Sequence, residues 1–251
     1  MIAYNNLSIT YMFQLGSEID SARVWCLKQI KHNPEHFWAY YHLGWAYLGM
    51  DSLQQARDAL EKAYELHNRW KTLPHFTWHL ERLGITHLLL KNYSRAIDVF
   101  KEINRVNPEA FIGFYYAGIT AREAGNMNKA IHFFNQYQSL LRKQLSKDPQ
   151  NKDLRLQLAL VLLQKGEKEA GWKLGTSVCA EDSTLHFEHA ELLALYGKPL
   201  EAIKELQAAV EHGYRNFVWM KINPNFLSLR EIDEFKELTN KLLKQSHKSQ
   251  T

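Results

Sequence analysis

Cysteine is scarce in this chain of 251 residues, and the two present, Cys26 and Cys179, stand far apart. That argues against a disulfide framework and fits a reducing compartment, so a cytoplasmic location is expected. Long apolar runs are missing as well. No stretch approaches the roughly eighteen consecutive apolar residues of a membrane span, and the N-terminus lacks a basic head followed by an apolar run, so neither a span nor a signal peptide is indicated. Charge of one sign does not accumulate. The formal net charge is +4 and the pI about 8.9, with Lys and Arg interleaved among Asp and Glu, which permits an acidic partner and points away from nucleic acid. There is no glycine-rich phosphate loop, no kinase catalytic or metal-binding motif, and nothing tied to a reaction class, so no enzymatic activity and no cofactor are expected.

What the chain does have is bulk and a rhythm. Apolar residues make up 45 % and aromatics 12 %, enough to fill a sizeable core. Small residues recur in pairs with a period of about 34: Thr10 and Ala22, Gly44 and Ala56, Gly84 and Ala96, Gly118 and Ala130, Ala159 and Gly171, Ala190 and Ala202. Such a period marks a stacked array in which no unit buries its apolar face alone.

One unit, residues 37–70, shows why. Tyr40, Leu43, Tyr47 and Met50 form the apolar stripe of one amphipathic helix, and Leu53, Ala56, Leu60 and Ala63 that of a second, with a turn at 49–51 between them. The unit therefore reads as an antiparallel helical pair. Gly44 and Ala56 are expected to face each other across it, where missing bulk lets the backbones approach closely.

Leu43 and Gly44, then Tyr47, then Ala56 and Ala63 resemble the tetratricopeptide repeat (TPR) pattern, with Pro34 and Pro108 where that family places a proline between units. The resemblance covers residues 3–216, with units starting near 3, 37, 77, 111, 152 and 183. Gly175 and His189 depart from it, standing where the family has larger apolar residues. It implies an all-α fold, a right-handed α-α superhelix (TPR solenoid) of about six helical hairpins. The pentatricopeptide family, which reads RNA, has nearly the same period but lacks this Gly and Ala spacing and carries more positive charge.

From Gly213 the chain reads GYRNFVWMKINPNFLSLREIDEFKELTNKLLK, which is similar to the closing segment of TPR arrays in bacterial signalling proteins, where arrays follow a cyclase, a kinase or a winged-helix domain. Residues 217–245 are thus expected to cap the array, with an amphipathic helix over 231–244, and 246–251 to form a disordered tail. Met1 lies almost against the first repeat, which fits either a piece of a longer protein or a truncated relative of the multidomain ones.

The resemblance also implies where a partner binds. In a TPR hairpin the first helix lines the concave face, which here assigns a protein- or peptide-binding groove to Trp38, Tyr41, Trp45, Trp78, Glu81, Ile85, Tyr115, Ile119 and Arg122. Its aromatics would anchor the ligand. Glu81 and Arg122 would set its polarity. The Lys and Asn signature by which some TPR domains hold acidic chaperone C-termini is absent. The function expected is that of an adaptor or scaffold, with the detached sensor half of a bacterial signalling system as the alternative. Of the twelve histidines, His75 with His79 and His186 with His189 have helical spacing, but no converging third and fourth ligands are visible, so no metal is expected. Glu188 and Glu191 near His186 have no accompanying nucleophile.

Overall fold

The computed structural model describes residues 19–70 and 76–244, and no strand occurs among them. The expected first unit from residue 3, with Thr10, lies mostly outside the described residues, as do His75 and the tail 246–251. In chain order the helices are α1 (Ile19–His32), α2 (Phe37–Gly49), α3 (Leu53–Trp70), α4 (Trp78–Leu89), α5 (Tyr93–Val106), α6 (Ile112–Glu123) and α7 (Met127–Leu145). They continue as α8 (Lys152–Gln164), α9 (Lys168–Ala180), α10 (His186–Tyr196), α11 (Pro199–Glu211) and α12 (Phe217–Ile222), then a 3-10 turn (Pro224–Leu229) and α13 (Asp233–Lys244). The fold is all-α and built of helical hairpins, as a TPR solenoid is.

The chain divides into two compact units. The first holds the described residues through Gly113 together with Arg215–Ile222 and the described residues from Glu237; the second holds Phe114–Tyr214 and Asn223–Lys236.

Starts and turns are set locally. His36, Asn126 and Asn151 cap α2, α7 and α8 by accepting hydrogen bonds from the amides of Ala39, Lys129 and Leu154. Between the two helices of each hairpin one residue turns left-handed: Asp51, Lys91, Gly125, Gly166 and Gly197 all have positive φ. The following amide then reaches back to a helical carbonyl, as from Ser52 to Tyr47, Asn92 to His87, Asn126 to Ala121, Glu167 to Leu162 and Lys198 to Leu193. This is the Schellman closure, which satisfies carbonyls that a helix end leaves free and reverses the chain within three residues.

The second helices bury one stripe and leave the rest to water. In α5 that stripe is Ala96, Ile97, Val99, Phe100 and Ile103. The first helices are different. α2 buries Ala39, Tyr41, His42, Leu43, Gly44, Trp45, Ala46 and Leu48, positions that run around its whole circumference. A helix that is apolar all round must be covered on every side. Its second cover is the C-terminal segment, since α12 packs against α2 within the first unit and the 3-10 turn packs against α10 within the second.

The close approach inside the hairpins involves large side chains of the second helix. A Cβ on Gly44 would stand 2.5 Å from Cγ of Leu60, one helical turn beyond Ala56. The same offset recurs where Gly84 meets the ring of Phe100 at 2.4 Å and Gly118 that of Phe134 at 2.4 Å. Each glycine is thus a socket for a large side chain of the second helix. Between α8 and α9 the backbones themselves come close, since a Cβ on Gly171 would stand 2.8 Å from the carbonyl oxygen of Ala159. Outside the core the repeat is echoed in ion pairs that span 34 residues, Arg69 to Glu35 at 2.7 Å and Arg95 to Glu61 at 3.2 Å.

Candidate functional site

In the first unit the first-helix face is formed by α2 and α4. Trp45 is buried at 1 % exposure, with the Arg82 guanidinium 4.1 Å from its ring centre. The same guanidinium lies 4.5 Å from the ring of Trp219 in the C-terminal segment, so one cation serves two indoles. Lys221, two residues on, is buried to 8 % exposure, and its ammonium meets the Asp51 carboxylate at 2.6 Å and donates to the Gly49 carbonyl at 3.3 Å. That carbonyl belongs to the last residue of α2, where a helix end favours a cation. Tyr41 and Ile85 are buried too. Burial pushes the Glu81 carboxyl up against the opposing pull of Arg82, 3.5 Å away, so Glu81 is occupied inside the unit.

At the edge of this face the aromatics emerge. Trp38 is half-buried and meets Phe76 edge-on at 5.1 Å; Phe76 lies 5.5 Å from Trp78, which is 59 % exposed. Phe76 belongs to no stripe in the sequence, and only the fold brings it between the two tryptophans. Behind them, His42 and His79 are buried among aromatic rings, with His79 4.4 Å from His67, and burial lowers both His42 and His79 to about 3.

The second unit presents a polar knot on its own first-helix face. Tyr115 of α6 donates to Oδ1 of Asn225 at 2.6 Å, and Gln164 of α8 donates to the same oxygen at 3.0 Å. The Nδ2 groups of Asn225 and Asn223 donate to Oε1 of Glu191 in α10 at 2.9 and 2.7 Å. Burial pushes Glu191 up to about 7, against the pull of these two donors. Arg122 donates to Gln164 and to Glu123, and Ile119 is buried. Sequence reasoning missed Asn223, Asn225 and Gln164. The signal that could have found them is the spacing of Lys221, Asn223 and Asn225 at every second position through an otherwise apolar run, since polar residues buried there need partners.

Of the nine residues assigned to the groove, the structure therefore places Trp38, Tyr41, Trp45, Trp78, Glu81 and Ile85 together in the first unit and Tyr115, Ile119 and Arg122 in the second. Within the C-terminal segment, α12 packs against α2 in the first unit and the 3-10 turn packs against α10 in the second. His186 and His189 both approach Glu205, at 2.7 and 3.3 Å. Among the described residues, no three His, Cys, Asp or Glu side chains converge to hold a metal ion, and no helix is long and apolar enough to cross a membrane.

Hairpins of antiparallel helices with a glycine socket on the first helix, repeating every 34 residues or so, define a helical-repeat protein. The tetratricopeptide repeat family matches residues 39–68 of the chain. No curated protein matches the chain in sequence. Solved structures share the fold at low identity. A tetratricopeptide repeat protein from Parabacteroides merdae is 17 % identical with a TM-score of 0.50, over 98 % of this chain and 99 % of that one. The Cut9–Hcn1 hetero-tetramer of the APC/C gives 18 % identity and a TM-score of 0.55 over 98 % of this chain and 42 % of the other. The MamA RS-1 ArsTM double mutant gives 18 % and 0.50 over 72 % and 96 %.

Proposed function

We propose that the protein is a protein- or peptide-binding adaptor whose ligand docks on the first-helix face of the first unit. The observation that carries this reading is the aromatic edge Trp38–Phe76–Trp78, which leaves the large side chain of Trp78 in solvent while Trp38 and Phe76 are half-buried. A rigid indole held out from a packed cluster offers much area at little cost in entropy, as interface anchors do. Tyr41, Trp45 and Ile85 are buried behind this edge and support it from within the unit, with Glu81 held beside Arg82, while Tyr115, Ile119 and Arg122 form the corresponding face of the second unit.

The test is affinity capture of a partner with the intact chain, followed by site-specific photocrosslinking at position 78. Trp78→Ala is expected to weaken the captured complex by about 2 kcal/mol or more. Its melting temperature should stay unchanged, because an exposed side chain contributes little to folding. A partner that binds the Trp78→Ala chain as tightly, and crosslinks only from second-helix positions such as Asp58 or Lys101, would overturn the reading.

A further inference from the structure

We propose that Phe217–Ile222 is an intramolecular ligand of the first unit, held by the contacts that the unit offers a partner: an aromatic ring on Arg82 and, two residues later, a cation between Asp51 and the end of α2. The partner segment that replaces it carries an aromatic residue two positions before a Lys or Arg. This deepens the proposed function and rests on it for the partner, while the intramolecular recognition stands by itself.

The chemistry of the segment supports the assignment. A stretch that only fills a core needs apolar bulk, which Phe217, Val218, Met220 and Ile222 provide. Trp219 and Lys221 add contacts of another kind. The ammonium of Lys221 is taken out of water, and its carboxylate partner Asp51 remains 56 % exposed, so half of the ion pair belongs to the rim of the face. Desolvating a Lys in this way gains little over an apolar residue of similar size, whereas it discriminates sharply among sequences that could lie there. Cation–π stacking, a charged pair at the rim and an apolar centre are the anatomy of a recognition interface. The face is also continuous with the aromatic edge: Trp45, beneath Arg82, belongs to the helix that carries Trp38, and Arg82 to the helix that carries Trp78. A ligand engaging that edge reaches the resident segment next. Because the segment's apolar residues are buried, its departure must be an exchange in which the incoming chain covers the same surface, and no empty face is created.

The exchange can be read by complementation. In the full chain, Trp219→Ala with Lys221→Ala weakens the resident segment, and the added probe is a labelled synthetic peptide of residues 213–223 of this protein. The weakened chain is expected to bind the peptide at least tenfold more tightly than the unaltered chain by fluorescence anisotropy, and saturating peptide should raise its lowered melting temperature. Substituting both Trp219 and Lys221 in the peptide should abolish these effects, and adding Arg82→Gln to the weakened protein should reduce binding at least fivefold. If the weakened chain does not fold alone, the peptide should restore its helical circular dichroism. A chain that neither binds the peptide nor gains stability or helix from it would overturn the proposal. So would equal binding of the doubly substituted peptide. None of these readouts uses an outside partner, so a failure at Trp78 and a failure here are separate results.

Discussion

Glu191 and His79 are both buried, yet burial works on them in opposite directions of pH. For Glu191 it favours the protonated form, so its carboxyl lies near 7 in the folded chain against about 4.5 in the unfolded one. Between those values the folded state holds a proton that the unfolded state has released, and stability therefore falls as pH rises from about 4.5 to 7. Glu191→Gln keeps an oxygen for Asn223 and Asn225 and removes the charge. It should stabilise the protein by about 1–3 kcal/mol at pH 8 and by almost nothing at pH 4, measured by urea unfolding. His79, with its folded value near 3, must stay neutral, so stability falls as pH drops through 6.5, where the unfolded chain gains protons that the folded one refuses. At pH 5 the loss is about 2 kcal/mol for this one group. His79→Phe should remove that loss, because its surroundings, Phe37, Phe76 and Tyr64, are aromatic rings. An unaltered slope of stability between pH 7 and 5 in the variant would show that His79 takes up protons while folded.

At the scale of the element, the hairpin is defined by a glycine socket and a left-handed turn. Even a methyl group on Gly44 would stand 2.5 Å from Leu60, whose side chain has no exposed surface to move into. Gly44→Ala should therefore destabilise by about 1–3 kcal/mol through overpacking, seen in a thermal or denaturant melt. A double-mutant cycle should show coupling of Gly44→Ala to Leu60→Ala and less to Ala56→Ser, since only residues in contact interact strongly. The small-residue period was legible in sequence because steric exclusion at a crossing acts on side-chain size. That Leu60 fills the space beside Gly44 was not, because it depends on how the large side chains of the two helices interlock. The turns follow the same division. Gly125, Gly166 and Gly197 announce a left-handed residue, whereas Asp51 and Lys91 adopt it without announcing it, carried by the closure around them.

For the whole molecule, the C-terminal segment belongs to the interior of each unit and is not a separate appendage. Phe217, Val218, Met220 and Ile222 are buried in the first unit, Phe226 and Leu229 in the second. At about 1.5–3 kcal/mol for each large apolar side chain buried, their sum is comparable with the whole stability of a typical domain. Deleting residues 215–251 should accordingly abolish the cooperative melt and bring aggregation, visible by circular dichroism and size-exclusion chromatography. A truncated chain that remains monomeric and melts as before would mean that the first-helix faces are stable uncovered, and the account of their apolar circumference would fail.

Periodicity in the sequence determined that the chain is helical, that its helices come in pairs, and which positions must be small, because each of these depends on residues close in sequence or on a spacing repeated along it. The aromatic first-helix positions were equally visible. What covers them was not: Tyr41, Trp45 and Tyr115 look alike in sequence whether they face solvent, a partner or their own chain. Only the tertiary structure decided it, by bringing Lys221 to Gly49 across 172 residues and Asn225 to Tyr115 across 110. Contacts at such separations leave no local pattern. They depend on where the folded backbone returns, and buried polar groups find their partners there.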